Sequence, residues 1–143
     1  MKNAVKIILA LLLFVSGCSK SSTKYADIKA FINDLINAQE EFLSSVEKSK
    51  NADDMVIAIN AFTEKMIKLA EQSSEIKKRY PEFEKWEKDK EPPAELKADV
   101  ERLDAQAEKF GQIFVSEKIQ KYYNDPKVQK ALLEMSKRMG DEK

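Results

Sequence analysis

The sequence predicts an all-α protein: an up-down-up bundle of three long antiparallel helices, followed by a shorter fourth helix at the C-terminus. Apolar residues recur at steps of three and four over residues 25–139, which is the periodicity of amphipathic helices. No segment of this region has the alternation of apolar and polar residues that indicates a strand. Prolines and polar caps separate the patterned segments, as expected at helix ends.

The first helix is predicted from about Lys24 to Lys48. Its apolar stripe alternates steps of three and four, and six of its seven members are apolar: Tyr25, Ile28, Ile32, Leu35, Gln39, Phe42 and Val46. The polar residues 48–51 interrupt this stripe, and we interpret them as a tight antiparallel hairpin. One continuous helix is the alternative.

The second helix is predicted to begin at Asn51, a suitable N-cap, with Asp53 and Asp54 in its first turn. Its stripe keeps a 3.5-residue repeat, which favours left-handed supercoiled packing. The members are Met55, Ile59, Phe62, Met66, Leu69, Ser73, Ile76 and Tyr80. Pro81 disfavours helical structure at the preceding residue. Phe83 nevertheless keeps the same phase, so the pattern allows either a stop at Pro81 or a kinked extension toward Lys88.

The third helix is predicted to begin near Pro93, because proline suits a first helical turn. Its stripe is Leu96, Val100, Leu103, Ala107, Phe110 and Phe114. Beyond Gly111 the apolar positions shift to Val115, Ile119 and Tyr122. Such a shift indicates either a local change of winding or a new packing partner, for which the fourth helix is the obvious candidate.

The fourth helix is predicted between Pro126 and Gly140, with Asp125 as its cap. Its stripe is Val128, Leu132, Met135 and Met139. We expect this helix to fold back over one end of the bundle. Residues 25–143 then form a single helical bundle domain.

Residue types that are missing from the chain exclude several kinds of active site. The chain has no histidine and one cysteine, so imidazole-based triads and the usual zinc sites are excluded. Gly111 and Gly140 are the only glycines after residue 17, too few for a phosphate-binding loop. We therefore expect no catalytic residues, no metal site and no cofactor, and we predict that the protein is not an enzyme.

The charge balance argues against a nucleic-acid partner. The chain has 25 basic and 25 acidic residues, and no acidic residue occurs in the first 26 positions. Removal of residues 1–17, with Lys2 and Lys6, leaves 23 basic against 25 acidic residues, a side-chain charge of −2. A nucleic-acid-binding protein would show a basic surplus on one face.

The N-terminus has the organisation of a secretory signal peptide. Lys2 and Lys6 precede nine uninterrupted apolar residues, Ile7 to Val15, which are too few to span a bilayer. Small residues then lead to the single cysteine in the run Val15-Ser16-Gly17-Cys18. This run resembles the lipobox of bacterial lipoprotein precursors. An N-terminal helix with an ordinary core cysteine is the alternative.

The resemblance implies cleavage between Gly17 and Cys18 and acylation of Cys18, for example with palmitate. Residues 1–17 would then be a signal peptide that is removed, and residues 18–24 a lipidated N-terminus with a short polar tether. The anchor implies a location in the bacterial cell envelope. Ser19, where an aspartate would favour the inner membrane, favours the outer membrane facing the periplasm in a two-membrane cell.

Two aromatic pairs are candidate partner-binding residues, because tryptophan and tyrosine are common binding hot spots. Phe83 and Trp86 follow the second helix, and Tyr122 and Tyr123 precede the turn before the fourth. Phe83 and Trp86 lie three residues apart and would alternatively cover the open end of the core. Helix direction brings the end of the second helix back to the membrane side, where Trp86 could touch the bilayer interface.

The anchor and the missing catalytic residue types together predict a lipid-anchored envelope protein that binds another envelope macromolecule. The partner would be a protein or the cell wall, and a homo-oligomer is a variant of this hypothesis. A periplasmic chaperone-like or stress-sensing module is the alternative, and it requires an exposed apolar patch of several hundred Å². A carboxylate-based enzyme, the least favoured hypothesis, requires acidic residues converging in a pocket with shifted pKa values.

Overall fold

A computed structural model describes residues 25–83, 85–86 and 92–140. Within these ranges the protein is helical throughout, without a strand, so the all-α prediction is confirmed. Five helices have defined bounds within the described residues: α1 (Ala26–Lys48), α2 (Ala52–Arg79), α3 (Lys97–Ile113), α4 (Glu117–Tyr123) and α5 (Pro126–Gly140). In this part of the chain, no helix has the length and apolar character needed to cross a membrane. Cys18 and the predicted cleavage site after Gly17 lie outside the described residues.

Helices α1 and α2 form an antiparallel hairpin. The Asn51 side chain caps α2 by accepting a hydrogen bond from the backbone N–H of Asp54 at 2.9 Å. Near the middle of the hairpin the rings of Phe42 and Phe62 lie 4.8 Å apart. The predicted hairpin is therefore present, and the alternative of one continuous helix is wrong. α2 ends at Arg79, ahead of Pro81, and residues 83, 85 and 86 are helical again. The predicted alternative of a kinked extension toward Lys88 reaches beyond the described residues.

Helix α3 packs beside α1 and runs in the same direction. The Lys29 ammonium lies 3.7 Å from the Asp99 carboxylate, and further along both helices the rings of Phe42 and Phe110 are 5.7 Å apart. Phe110 also reaches α2, with its ring 5.2 Å from that of Phe62. The contact between α2 and α3 is thus made by large aromatic side chains, Phe62 and Phe110.

The segment predicted as one long third helix is two helices. α3 ends at Ile113, and a turn over residues 114–116 separates it from α4, whose first turn is capped by the Ser116 side chain. The apolar shift after Gly111 marks this turn and not a change of winding within one helix. Beyond the turn, Ile119 packs in the same core cluster as Val128 of α5, the new packing partner that the other interpretation expected. Val115 points outward with 77% of its surface exposed, whereas Ile119 is buried. Only Ile119 of these two belongs to the core.

Helix α5 lies along the side of α2 and runs parallel to it. Lys127 at its start pairs with Asp53 at 2.6 Å, and Arg138 at its end pairs with Glu64 at 2.6 Å. The expectation that it covers one end of the bundle is wrong. The helices therefore lie side by side in the order α3, α1, α2, α5.

The core consists of two clusters along the α1–α2 hairpin. The cluster nearer the hairpin turn includes Phe42, Val46, Met55, Ile59, Phe62, Ile119 and Val128. The cluster at the opposite end contains Tyr25, Ile28, Ile32, Ile36, Ile76 and Leu96. α3 contributes one buried residue, Gln106, so most of the core surface comes from α1 and α2.

Candidate functional site

The structure places the two predicted aromatic pairs at opposite ends of the molecule. Phe83 and Trp86 lie beside the start of α1, whereas Tyr122 and Tyr123 lie beside the turn that follows it. The 23 residues of α1 span about 35 Å at 1.5 Å per residue. The four aromatic residues therefore do not form one site, and each end is described separately.

An aromatic cap, formed by Tyr25, Tyr80, Phe83 and Trp86, closes the end at which α1 begins. The Tyr25 ring lies edge-on to Trp86 at 5.1 Å and to Tyr80 at 5.5 Å, and Trp86 lies 6.1 Å from Phe83. Tyr25 is buried and has a left-handed backbone with φ of 71°, which is unusual for a bulky residue. Packing on two sides holds it there. Tyr25, the residue directly before α1, is therefore part of the cap.

A polar network ties the two helix ends under the cap. The Tyr80 hydroxyl donates a hydrogen bond to Asp27 at 2.8 Å, and the Arg79 guanidinium pairs with the other carboxylate oxygen. Burial raises the pKa of Asp27, but the Tyr80 hydroxyl, a backbone N–H and Arg79 together outweigh it, so the net pKa is lowered. The same hydrogen bond raises the pKa of Tyr80, because it stabilises the protonated phenol.

Phe83 and Trp86 pack against the core, as the alternative interpretation of this pair expected. Both side chains are half-buried against the cluster that contains Ile28, Ile76 and Leu96. Their aromatic contacts are with residues of the same chain. Packing against the core therefore explains why Phe83 and Trp86 are aromatic.

At the other end, Tyr122 and Tyr123 have different environments. The Tyr122 hydroxyl donates a hydrogen bond to the backbone carbonyl of Lys50 at 2.7 Å, which fastens α4 to the α1–α2 turn. The side chain of Tyr123 is 49% exposed. Of this pair, Tyr123 is exposed and Tyr122 is half-buried.

A concave surface of about 810 Å³ lies next to Tyr122. We call it the lysine cradle, and its lining is Glu47, Lys48, Ser49, Lys50, Lys118, Lys121 and Tyr122. Sequence reasoning missed this surface because its lysines come from two segments some 70 residues apart. Each segment alone has the mixed polar composition of an ordinary solvent-exposed helix end.

A second groove, of about 670 Å³, runs between α1 and α2 near the aromatic cap. Its acidic members are Asp27, Asp34, Glu71 and Glu75, and Lys68 and Arg79 also line it. A hydrogen bond from Lys78 lowers the pKa of Glu75, and the pKa of Asp27 is lowered as well. A general acid needs the opposite shift. These two carboxylates have the chemistry of ion-pair partners.

A small apolar groove lies where α5 ends against the hairpin. Its volume is about 230 Å³, and Phe31, Leu35, Met66, Leu69 and Met139 are among its lining residues. Since a ligand pocket for a drug-sized molecule has a volume of roughly 300–1,000 Å³, this groove would accept only one or two side chains.

Among the residues that the structure describes, no three acidic or cysteine side chains lie close enough together to hold a metal ion. Comparisons with protein-family models, curated proteins and solved structures give no significant match. Geometry and sequence together therefore carry the functional argument.

Proposed function

We propose that this protein is a bacterial lipoprotein, acylated at Cys18, whose helical domain binds another macromolecule of the cell envelope. One observation carries the proposal: a basic leader and nine apolar residues end at Val15-Ser16-Gly17-Cys18. Two or three acyl chains on one residue would make attachment effectively permanent, because each buried methylene contributes about 0.8 kcal/mol.

The position of the aromatic cap supports a defined orientation relative to the membrane. Residues 19–24 are a polar tether that reaches at most about 20 Å when fully extended, and the tether joins the bundle at Tyr25. The cap thus faces the bilayer. The lysine cradle lies about 35 Å further out, at the other end of α1.

The helical domain acts as a short stalk in this proposal. α1, α2 and α3 form the up-down-up part of the predicted bundle, and α5 braces α2 from the side. A stalk of this kind presents its far end to a partner while the anchor fixes the other. In a two-membrane cell, Ser19 favours the outer membrane, with the domain facing the periplasm.

Binding is favoured over catalysis because of the chemistry of the grooves. The acidic groove contains carboxylates whose pKa is lowered by hydrogen bonds and ion pairs, which suits structural pairing. The apolar groove is too small for an unfolded chain, so the chaperone-like alternative has less support. The proposed role is therefore an interaction role.

Mass analysis of the protein from its native cells tests the anchor. The expected product lacks residues 1–17 and carries acyl chains on Cys18. The Cys18→Ser variant should lose the acyl mass and leave the membrane fraction, whereas the matched Ser21→Ala variant should keep both. Retention of residues 1–17, or membrane attachment of Cys18→Ser equal to that of the native protein, would overturn the proposal. Sedimentation of Cys18→Ser separates monomer from homo-oligomer.

A further inference from the structure

We propose that the lysine cradle is a docking site for an acidic segment of a partner protein. This inference rests on the proposed function only for the compartment in which the partner is met. It is carried by the charge, the position, the rigidity and the exposed backbone acceptors of the cradle.

The charges of the cradle are unbalanced. Four lysines, Lys48, Lys50, Lys118 and Lys121, line it together with one acidic residue, Glu47, and the Lys121 ammonium lies 5.1 Å from the centre of the Tyr122 ring. Of the fourteen other basic residues that the structure describes, eight lie within 4 Å of a carboxylate: Lys29, Lys65, Lys78, Arg79, Arg102, Lys127, Lys130 and Arg138. None of the four cradle lysines has such a partner among the described residues. An anionic ligand would relieve their mutual repulsion.

Stabilisation by a helix dipole explains the positive charge of only two of these four lysines. Lys48 lies in the last turn of α1 and Lys121 in the last turn of α4, where the helix dipole favours a cation. Lys50 lies between two helices, and Lys118 lies in the first turn of α4, where a cation is unfavourable. The helix dipole therefore does not stabilise a positive charge at Lys50 or at Lys118.

The backbone of the cradle is held firmly, so a ligand would meet a preformed surface. Lys50 donates its N–H to Asp54 at 2.9 Å and accepts the Tyr122 hydroxyl at 2.7 Å through its carbonyl. The buried Ser49 donates its hydroxyl to the Ser45 carbonyl at 2.8 Å. Because these bonds exist before binding, less conformational entropy is lost when a ligand docks.

The end of α1 indicates a peptide as the anionic ligand. Carbonyl groups in the last turn of a helix have no partner within the helix, and at exposed residues such as Glu47 and Lys48 they are open to donors from solvent or from a ligand. No described residue donates a hydrogen bond to the carbonyls of Glu47 or Lys48. An acidic peptide supplies carboxylates for the ammonium groups and backbone N–H groups for these carbonyls. A polyphosphate chain supplies acceptors only.

Fluorescence anisotropy tests this proposal with a labelled oligoglutamate peptide at low salt. The protein is purified in neutral detergent from whichever cell fraction contains it. We expect saturable binding that weakens as salt is added, because screening reduces the attraction between exposed charges. An oligoglutamine peptide of equal length should not bind. Polyphosphate of similar length should compete less well than unlabelled oligoglutamate.

Matched double variants locate the site. Lys50→Gln with Lys118→Gln should weaken peptide binding about tenfold, since exposed ion pairs are worth a few-fold each. Lys97→Gln with Lys109→Gln changes the charge equally at exposed α3 positions that lack an ion pair in the described structure, and it should weaken binding less than about twofold. If the first double variant misfolds, Lys48→Gln with Lys121→Gln takes its place.

Several outcomes would overturn the inference. These are absence of oligoglutamate binding, equal binding of oligoglutamine, stronger competition by polyphosphate, or equal losses in the cradle and α3 variants. Membrane fractionation of the same cells reports on the acyl anchor independently. If the protein is not in the membrane fraction but binds oligoglutamate, the anchor proposal is wrong and the docking proposal stands. If it is in the membrane fraction but does not bind oligoglutamate, the docking proposal is wrong and the anchor proposal stands.

Discussion

The hydroxyl of Tyr80 donates a hydrogen bond to the carboxylate of Asp27 at 2.8 Å, which joins the residue directly after α2 to the first turn of α1. The two residues are 53 positions apart in the chain. This bond, together with the aromatic cap, fixes the end of the bundle at which α1 begins.

Loss of that hydroxyl should weaken the fold. Tyr80→Phe keeps the ring that packs on Tyr25 but removes the hydrogen bond to Asp27. We expect the urea midpoint to fall by a few tenths of a molar unit at unchanged slope. Tyr123→Phe, which removes an exposed hydroxyl without a hydrogen bond in the described structure, is the control. Equal midpoints for the two variants would contradict the prediction.

Stability should depend on pH through Asp27. Its pKa is lower in the folded protein than in the unfolded chain, where the ordinary value is near 3.8. The carboxylate therefore stabilises the fold fully above that value, and this contribution is lost as the pH falls through the folded pKa. In urea titrations, the free energy of unfolding should fall less between pH 7 and pH 3 for Asp27→Asn than for the native protein. Asp34→Asn, on the exposed side of the same helix, is the control, and a similar reduction in both variants would count against Asp27.

Val115 and Ile119 belong to the same predicted apolar shift but should respond differently to truncation. Ile119→Ala should lower the free energy of unfolding by about 2–5 kcal/mol, because it leaves a cavity in the core. Val115→Ala should change it by less than about 0.5 kcal/mol, because Val115 lies on the surface. Thermal and urea unfolding of both variants measure the difference. A comparable loss in both would place Val115 in the core.

Two buried amides should be replaceable by apolar residues. Oε1 of Gln39 and Nε2 of Gln106 have no hydrogen-bond partner in the described structure. They lie between the Asn33–Arg102 hydrogen bond and the Phe42–Phe110 ring contact, in the α1–α3 interface. Each unpaired buried group costs roughly 1–3 kcal/mol.

The double variant Gln39→Leu with Gln106→Leu should therefore raise the free energy of unfolding by about 1 kcal/mol or more. Chemical denaturation measures it, and Gln72→Leu on the exposed face of α2 controls for added apolar surface. A loss of stability in the double variant would indicate that the amides pair with each other in solution.

Trp86 should behave as part of the core. Its fluorescence should be blue-shifted in the folded protein and should move to the red on unfolding, because its ring packs against Tyr25 and Phe83. Trp86→Ala should destabilise the fold by roughly 1.5–3 kcal/mol. Binding of the oligoglutamate peptide, measured where the variant is folded, should not change, because the cradle lies at the other end. A loss of peptide binding by the folded variant would contradict this separation.

The sequence by itself determined the helical class, the hairpin of α1 and α2, the caps at Asn51 and Asp125, and the signal-peptide pattern that ends at Cys18. These features depend on neighbouring residues or on the helical repeat, so short-range patterns specify them. Most members of the first two stripes are buried because α1 and α2 face each other along their whole length.

Only the tertiary structure decided which surfaces the later helices cover. Apolar spacing cannot distinguish a change of winding from a turn, so the break between α3 and α4 and the exposure of Val115 were not predicted. Nor does it specify the side of α2 on which α5 lies. The lysine cradle arises when α4 is fastened to the α1–α2 turn by Tyr122, because that contact brings together charges from distant parts of the chain.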